Sequence, residues 1–278
     1  MEESIFHLLK ILEKEAAVVQ NWFKNNEMKP NDDKCHLIVT KDSSNSTSKP
    51  HIYVGNECIE SEKSVELLGI KIDNELKFNE HVTNLIKKGN QKLHALARIS
   101  KFVGEDKLKL FMRTFIESQF NYCPLLWMFH SRELNHKINR LHKRALRVVY
   151  KNDQMTFEEL LEKDKSYTIH ERNLQKLAVE MYKAKHKLSP LPVQELFKQR
   201  DEVYNFRNKR CFEVPRVQNV STGTETLRFR GIKTWDLVPD TIKESKSLAI
   251  FKGKIKNWKP NGCTCRLCKV YVHDLGFL

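Results

Sequence analysis

Apolar residues at Ile5, Leu8, Leu9, Leu12, Ala16, Val19, Trp22 and Phe23 recur every three or four positions. The chain is therefore expected to open on an amphipathic helix ending near Asn25 or Asn26, with Pro30 preventing its continuation. The pattern then shortens. Leu37-Ile38-Val39, after a Pro-Asn-Asp-Asp turn cluster, reads as a strand, and 42–50 as a polar loop. Gly55-Asn56 lies between two short β-prone stretches, where a hairpin turn demands positive φ. Val65, Leu67, Leu68, Gly69, Ile70 and Ile72 read as one further strand, so 1–78 is expected to be a helix followed by a small antiparallel β unit.

From Phe78 the helical period returns. Val82, Leu85, Ile86, Gly89, Leu93 and Leu96 mark one helix, and Leu108, Phe111, Met112 and Phe115 a second that starts at Gly104-Glu105. An aromatic connector broken by Pro124 follows. Ser131 is placed to cap a third helix with Leu134, Ile138, Leu141, Ala145, Val148 and Val149 on its apolar face, completing a helical bundle over 79–152. Thr156 with Glu159, and Thr168 with Glu171, have the spacing of capping boxes. The second opens a helix through Leu188 that Pro190 and Pro192 are expected to close. Past residue 200 the signal weakens to β-prone pieces around Cys211 to Val214 and a last helix at Ser247 to Trp258. This leaves 153–260 as a mixed, mainly helical region and 261–278 as a cysteine-rich tail. The fold class expected is α+β, mostly α.

No run of about 18 apolar residues occurs, so no membrane span is expected. The opening MEESIFHLLKILEKE mixes acids into its apolar period and is unlike an export signal, which points to an intracellular protein, nuclear or cytoplasmic. The formal net charge of +14 is unevenly placed. Residues 81–151 hold 15 basic and 4 acidic side chains, and 203–278 hold 15 and 6, while the remainder is net acidic. Polyanion binding is thus expected at two regions, although lysine also serves solubility alone. Of the seven cysteines, Cys35, Cys58, Cys123 and Cys211 are widely separated among apolar neighbours and are expected to be small buried residues.

The third helix of the bundle carries Lys137, Arg140, Arg144, Arg147 and Lys151 at spacings of three and four, with Lys143 beside them. That row lies a quarter to a third of a turn from the apolar face. Cations along a rigid helix can follow a phosphate backbone; the alternative is an ordinary solvated face. No acid interrupts the row between Glu133 and Asp153, so pairing four residues apart is expected to be absent. Cys263, Cys265, Cys268 and His273 offer three thiolates and an imidazole within the tail, a donor set suited to zinc, against the alternative of reduced thiols facing solvent. Asp32-Asp33 reads as a turn rather than a metal site. No nucleophile elbow, Walker A loop or dinucleotide fingerprint is present, and no small-molecule substrate is expected.

Taken in order, VVQNWFKNNEMKPNDDKCHLIV, SVELLGIKIDNELKFNEHV, FIESQFNYCPLLWMFHSRELNHKINRLHKRALRVVY and FRGIKTWDLVPDTIKESKSLAIFKGKIKNW resemble successive parts of the reverse transcriptases of non-LTR, jockey-like retrotransposons. The closing GCTCRLCKVYVHDLGFL is similar to the end of many such reading frames. The resemblance implies the last palm helix, a primer grip and the thumb of a right-hand polymerase. It places Lys34 where the family has a lysine that contacts the departing diphosphate. Leu68, Gly69 and Ile70 fall at the primer-grip turn, and Lys137, Arg140, Arg144 and Arg147 at thumb positions facing the duplex. Two magnesium ions held by palm aspartates do the family's chemistry. Those aspartates would precede Met1, so this chain alone is expected neither to bind magnesium nor to polymerise, but to hold an RNA/DNA or DNA duplex. A stand-alone nucleic-acid-binding module derived from the element, and a remnant without function, are the two other readings.

Overall fold

The computed structural model describes residues 2–31, 34–40, 49–200, 211–217 and 223–268. It is α+β and mostly α, with two antiparallel sheets of two strands each among the described residues. The chain divides into two compact units, Met1–His81 and Val82–Leu278.

In the first unit, helix α1 (Glu2–Asn25) stops where expected. Its half-buried positions are Ile5, Leu9, Glu13, Ala16, Gln20 and Phe23, and it packs on strand β1 (His51–Val54). Glu13 Oε1 accepts from the Tyr53 amide at 2.9 Å. β1 pairs with β2 (Glu57–Glu60), Ile52 opposite Ile59. Gly55 turns this hairpin at φ +65, a backbone conformation that favours glycine; the nearest atom to a Cβ there is the movable end of the Gln20 side chain. The run expected to be one further strand is instead a second hairpin. β3 (Ser64–Leu67) folds back on β4 (Ile70–Asp73), with Leu68 and Gly69 as its turn, both at positive φ. Leu37-Ile38-Val39 does not form a strand. Only Leu37 makes a bridge, to Ser61, because three residues between turn clusters are too short to sustain a ladder.

In the second unit, helix α2 (Asn79–Ile99) buries Val82, Ile86, Gly89, Leu93 and Leu96. Helix α3 (Glu105–Phe111) runs into a π turn at Met112–Ile116 and a 3-10 turn at Glu117–Asn121. Pro124 does not merely break the connector but opens a one-turn helix, α4 (Pro124–Trp127). Helix α5 (Arg132–Tyr150) follows, its Ser131 hydroxyl accepting from the Leu134 amide. Both capping boxes form, starting α6 (Phe157–Asp164) and α7 (Ile169–Lys185). Pro190 and Pro192 do not end α7, which stops at Lys185 with Lys187 at positive φ and the Leu188 amide on the Lys183 carbonyl; they lie at the start of α8 (Leu191–Leu196), where a missing amide costs nothing. A helix unforeseen from the sequence, α9 (Leu227–Leu237), is capped by Thr226. Helices α10 (Asp240–Lys243) and α11 (Leu248–Ile255) complete the described elements.

Two kinds of contact hold the bundle near α5. Gly89 lets α2 approach α5, since a Cβ there would stand 2.7 Å from Leu141 Cδ2. Buried acids then lock the helices to one another. Asp164 accepts from Tyr150 Oη at 2.7 Å and pairs with Lys109 Nζ at 2.7 Å. Glu117 takes both arms of Arg172, at 2.6 and 3.1 Å. Farther along, Met181, Tyr182, Phe197, Phe212, Trp235 and Phe251 form the core that joins α7, α9 and α11.

Candidate nucleic-acid interface and metal centre

Helix α5 places every residue of the predicted cationic row. Leu134, Ile138, Leu141, Ala145, Leu146 and Val149 are buried on one side. Lys137, Arg140, Arg144 and Lys151 are exposed on another, and Lys143 and Arg147 are half-buried between. The row is not wholly free of local pairing, however: Lys137 Nζ lies 2.6 Å from Glu133 Oε1, one helical turn back. The expectation of no such pair overlooked that Glu133 bounds the row and is itself in reach. Arg144 Nη1 donates to Asn90 Oδ1 of α2 at 3.4 Å, and Arg147 Nη2 to the Met155 carbonyl at 3.3 Å. These bonds orient two guanidinium groups without neutralising them. On α2, Lys87 and His94 lie three residues before and four after Asn90, both exposed, so the adjoining helix extends the same side.

The three tail cysteines meet a histidine of α7. Sγ of Cys263, Cys265 and Cys268 and a ring nitrogen of His170 all lie within 4.8 Å of one another, and Cys265 Sγ is 3.2 Å from His170 Nε2. This cluster can hold a metal ion. Tetrahedral zinc, with bonds of about 2.0 to 2.3 Å, needs ligand atoms roughly 3.3 to 3.8 Å apart, so a small contraction suffices. Residue 273, expected as the imidazole donor, lies outside the described residues, and His170 stands in the fourth corner. His170 was not legible as a ligand because it precedes Cys265 by 95 positions and belongs to no spacing motif. It is the second residue of α7, held there by the Thr168 capping box.

No protein-family model, curated protein or solved structure matches this chain. The chemistry of its sites therefore has to be read from their own surroundings. Hydrogen bonds from Cys265 and Cys268, with the nearby Arg230 charge, hold the Cys263 thiol down to about 3 despite burial. The Cys265 thiol is lowered as well: its bond to Cys263 opposes this, but Cys268 and His170 prevail. The Cys268 thiol, bonded to both neighbouring sulfurs, is pushed up. A thiolate-rich cluster of this kind suits a soft or borderline cation. His170 Nδ1 is buried without a partner, a departure from the usual metal-site histidine whose second nitrogen is bonded.

The surroundings of the cluster are built from distant segments. Cys263 packs against the buried Met128, Leu174 and Leu177. Arg266 donates through its guanidinium to the Phe129 carbonyl and through its amide to Glu225 Oε1, at 3.3 Å for the amide. Glu225 in turn pairs with Arg230. Nearby His130 is buried, its Nδ1 2.9 Å from the Trp127 carbonyl; burial outweighs that bond and depresses its pKa to about 4.

The remaining predicted positions are scattered. Lys34 is exposed next to the undescribed residues 32 and 33, so the reading of the Asp32-Asp33 turn also lies outside the described residues. Leu68, 82% exposed, and Gly69 form the tip of the β3–β4 hairpin, and the space above Gly69 is open, whereas Ile70 is buried. None of Cys35, Cys58, Cys123 and Cys211 is buried as expected: Cys58 and Cys123 are exposed, the other two half-buried. Cys58 falls on the outward side of β2, and Cys123 occupies a left-handed turn before Pro124, so apolar neighbours in sequence were not neighbours in the core. Among the described residues, no helix is long and apolar enough to cross a membrane.

Proposed function

We propose that this chain grips a nucleic-acid duplex along the outer side of α5, as the thumb-bearing part of a non-LTR retrotransposon reverse transcriptase that works inside the cell. One observation carries the duplex reading: Lys137, Arg140 and Arg144 stand exposed along α5, with Lys151 exposed at its C-cap, beside a face of the helix that is buried core. A rigid helix fixes the spacing at which its cations meet successive phosphates, and each neutralised phosphate adds salt-dependent affinity. The exposed Leu68-Gly69 tip supports a primer-grip role, since it offers an apolar side chain and open backbone at a strained turn.

The test is fluorescence anisotropy with an RNA/DNA hybrid and with duplex DNA. Affinity should fall by about 0.9 log unit per neutralised phosphate for each tenfold rise in salt. The double variant Arg140→Glu/Arg144→Glu should bind about 100-fold more weakly. Arg147 is left unchanged because it is half-buried and its bond to the Met155 carbonyl is partly shielded, whereas Arg144 and its bond to Asn90 are exposed. Undiminished binding by this variant would remove α5 from the interface. The polymerase assignment is checked separately in the genomic frame upstream, where an in-frame Asp-Asp pair is expected. Its absence, with salt-sensitive binding retained, favours a stand-alone binding module.

We propose zinc as the cation of the cysteine cluster. Three sulfurs and one imidazole form a donor set for tetrahedral zinc, whereas magnesium and calcium take oxygen ligands.

A further inference from the structure

Resting on the zinc reading, we propose that His170, Cys263, Cys265 and Cys268 form a closed structural centre, and that the ion clamps residues 263–268 onto the connector that starts α5. Metal occupancy then governs how firmly the duplex-binding helix is anchored. The argument begins with coordination. All four donors come from the protein and fill a tetrahedral shell, which leaves no open position for a reacting water; His170 and Cys265 are buried, Cys263 and Cys268 half-buried. Catalytic zinc keeps such a position, and structural zinc does not.

The argument continues with what the four ligands join. His170 is fixed on the first turn of α7, whereas the cysteines lie on a segment without regular structure beyond the turn in which the Cys268 amide donates to the Cys265 carbonyl at 3.0 Å. That segment reaches the α4–α5 connector directly through Arg266 on the Phe129 carbonyl, and Cys263 packs against the cluster that Met128 forms with Leu174 and Leu177. Two residues beyond Phe129 is Ser131, the cap of α5. Without the ion, the segment is held by the Arg266 bonds to Phe129 and Glu225, the packing of Cys263, hydrogen bonds among its own sulfurs and the sulfur–imidazole contact to His170. With it, a bridge joins positions 95 residues apart, and such a bridge forms only in the folded chain. A loosened segment releases Arg266 from the connector and frees the start of α5.

The experiment uses the full chain. Metal content is measured by mass spectrometry, and cobalt replacement is followed through its thiolate charge-transfer absorption. One equivalent of zinc is expected in the native chain and in His273→Ala, and little in His170→Asn or Cys265→Ser. Amide exchange is then compared between zinc-loaded and chelated native protein, which avoids any variant that fails to fold. Protection over 128–134 should drop about tenfold on chelation. A native chain that binds no zinc overturns the zinc reading and the clamp together. Metal retained by His170→Asn and lost by His273→Ala overturns the ligand set proposed for the centre. Zinc bound through His170 with unchanged exchange at 128–134 overturns the clamp and leaves the zinc reading standing.

Discussion

The buried Glu117 side chain shows how a single residue ties stability to pH. Burial raises its pKa, but His142, 3.2 Å away, and the paired Arg172 outweigh this and hold the carboxyl down to about 2 from 4.5. Its contribution is complete above 4.5 and disappears as pH falls through about 2, amounting to about 3 kcal/mol. His142 acts in the same direction from a higher pH. Burial lowers its pKa below 6.5, because desolvation and Arg172 outweigh Glu117, so the unfolded chain takes up a proton that the folded chain refuses. Denaturant midpoints should therefore decline from about pH 6.5 downwards and steepen below about pH 4.5. A flat profile between pH 7 and pH 3 would deny both groups this role. Gly89 gives a second residue-level expectation. Any Cβ there meets Leu141, which is itself buried, so Gly89→Val should cost about 2 kcal/mol or more, read as a lower melting temperature.

Elements whose signals are local were legible in the sequence. The caps at Ser131, Thr156 and Thr168 follow from side chains that bond amides three residues away, and all three form. The cationic row on α5 was equally legible, because its spacing needs only the helix. Elements that answer to tertiary contacts were not. Helix α9 carries Gly231 in mid-helix and the β-branched Ile232 and Thr234, which blunt its period; it persists because Gly231 lets Phe197 and Met181 come close. The β3–β4 hairpin was misread as one strand because its turn begins with Leu68, a residue with no sequence signal for positive φ. Leu68→Asn should accordingly stabilise the hairpin by about 0.5 to 1 kcal/mol, measured by amide exchange over 64–73, while weakening duplex affinity if the apolar tip is a contact. Thr168→Ala links a cap to the metal centre. It should cost about 1 kcal/mol and also weaken zinc binding, because the first turn of α7 carries His170. A loss of stability with unchanged zinc affinity would show that the ring is held by packing alone.

At the scale of the molecule, the two units rest on different amounts of buried apolar surface. In Met1–His81 the sheets have two strands each, and Phe6, Leu8, Leu12, Val19 and Trp22 of α1 are exposed. Isolated hairpins are marginal in water, and exposed apolar helix faces favour association. Val82–Leu278 instead closes its own core through Met181, Trp235 and Phe251, and closes its own buried ion pairs at Glu117–Arg172 and Lys109–Asp164. It also contains the α5 row and all four cluster ligands. A polypeptide of residues 79–278, which keeps α2 whole, should therefore melt in one cooperative transition, bind zinc and retain most of the duplex affinity. Calorimetry with zinc present and absent measures the first two, since a ligand of the folded state raises the melting temperature as its concentration rises. A broad, concentration-dependent transition from this polypeptide would mean that its buried core and ion pairs do not hold the fold by themselves, and that it associates instead of melting as one folded unit.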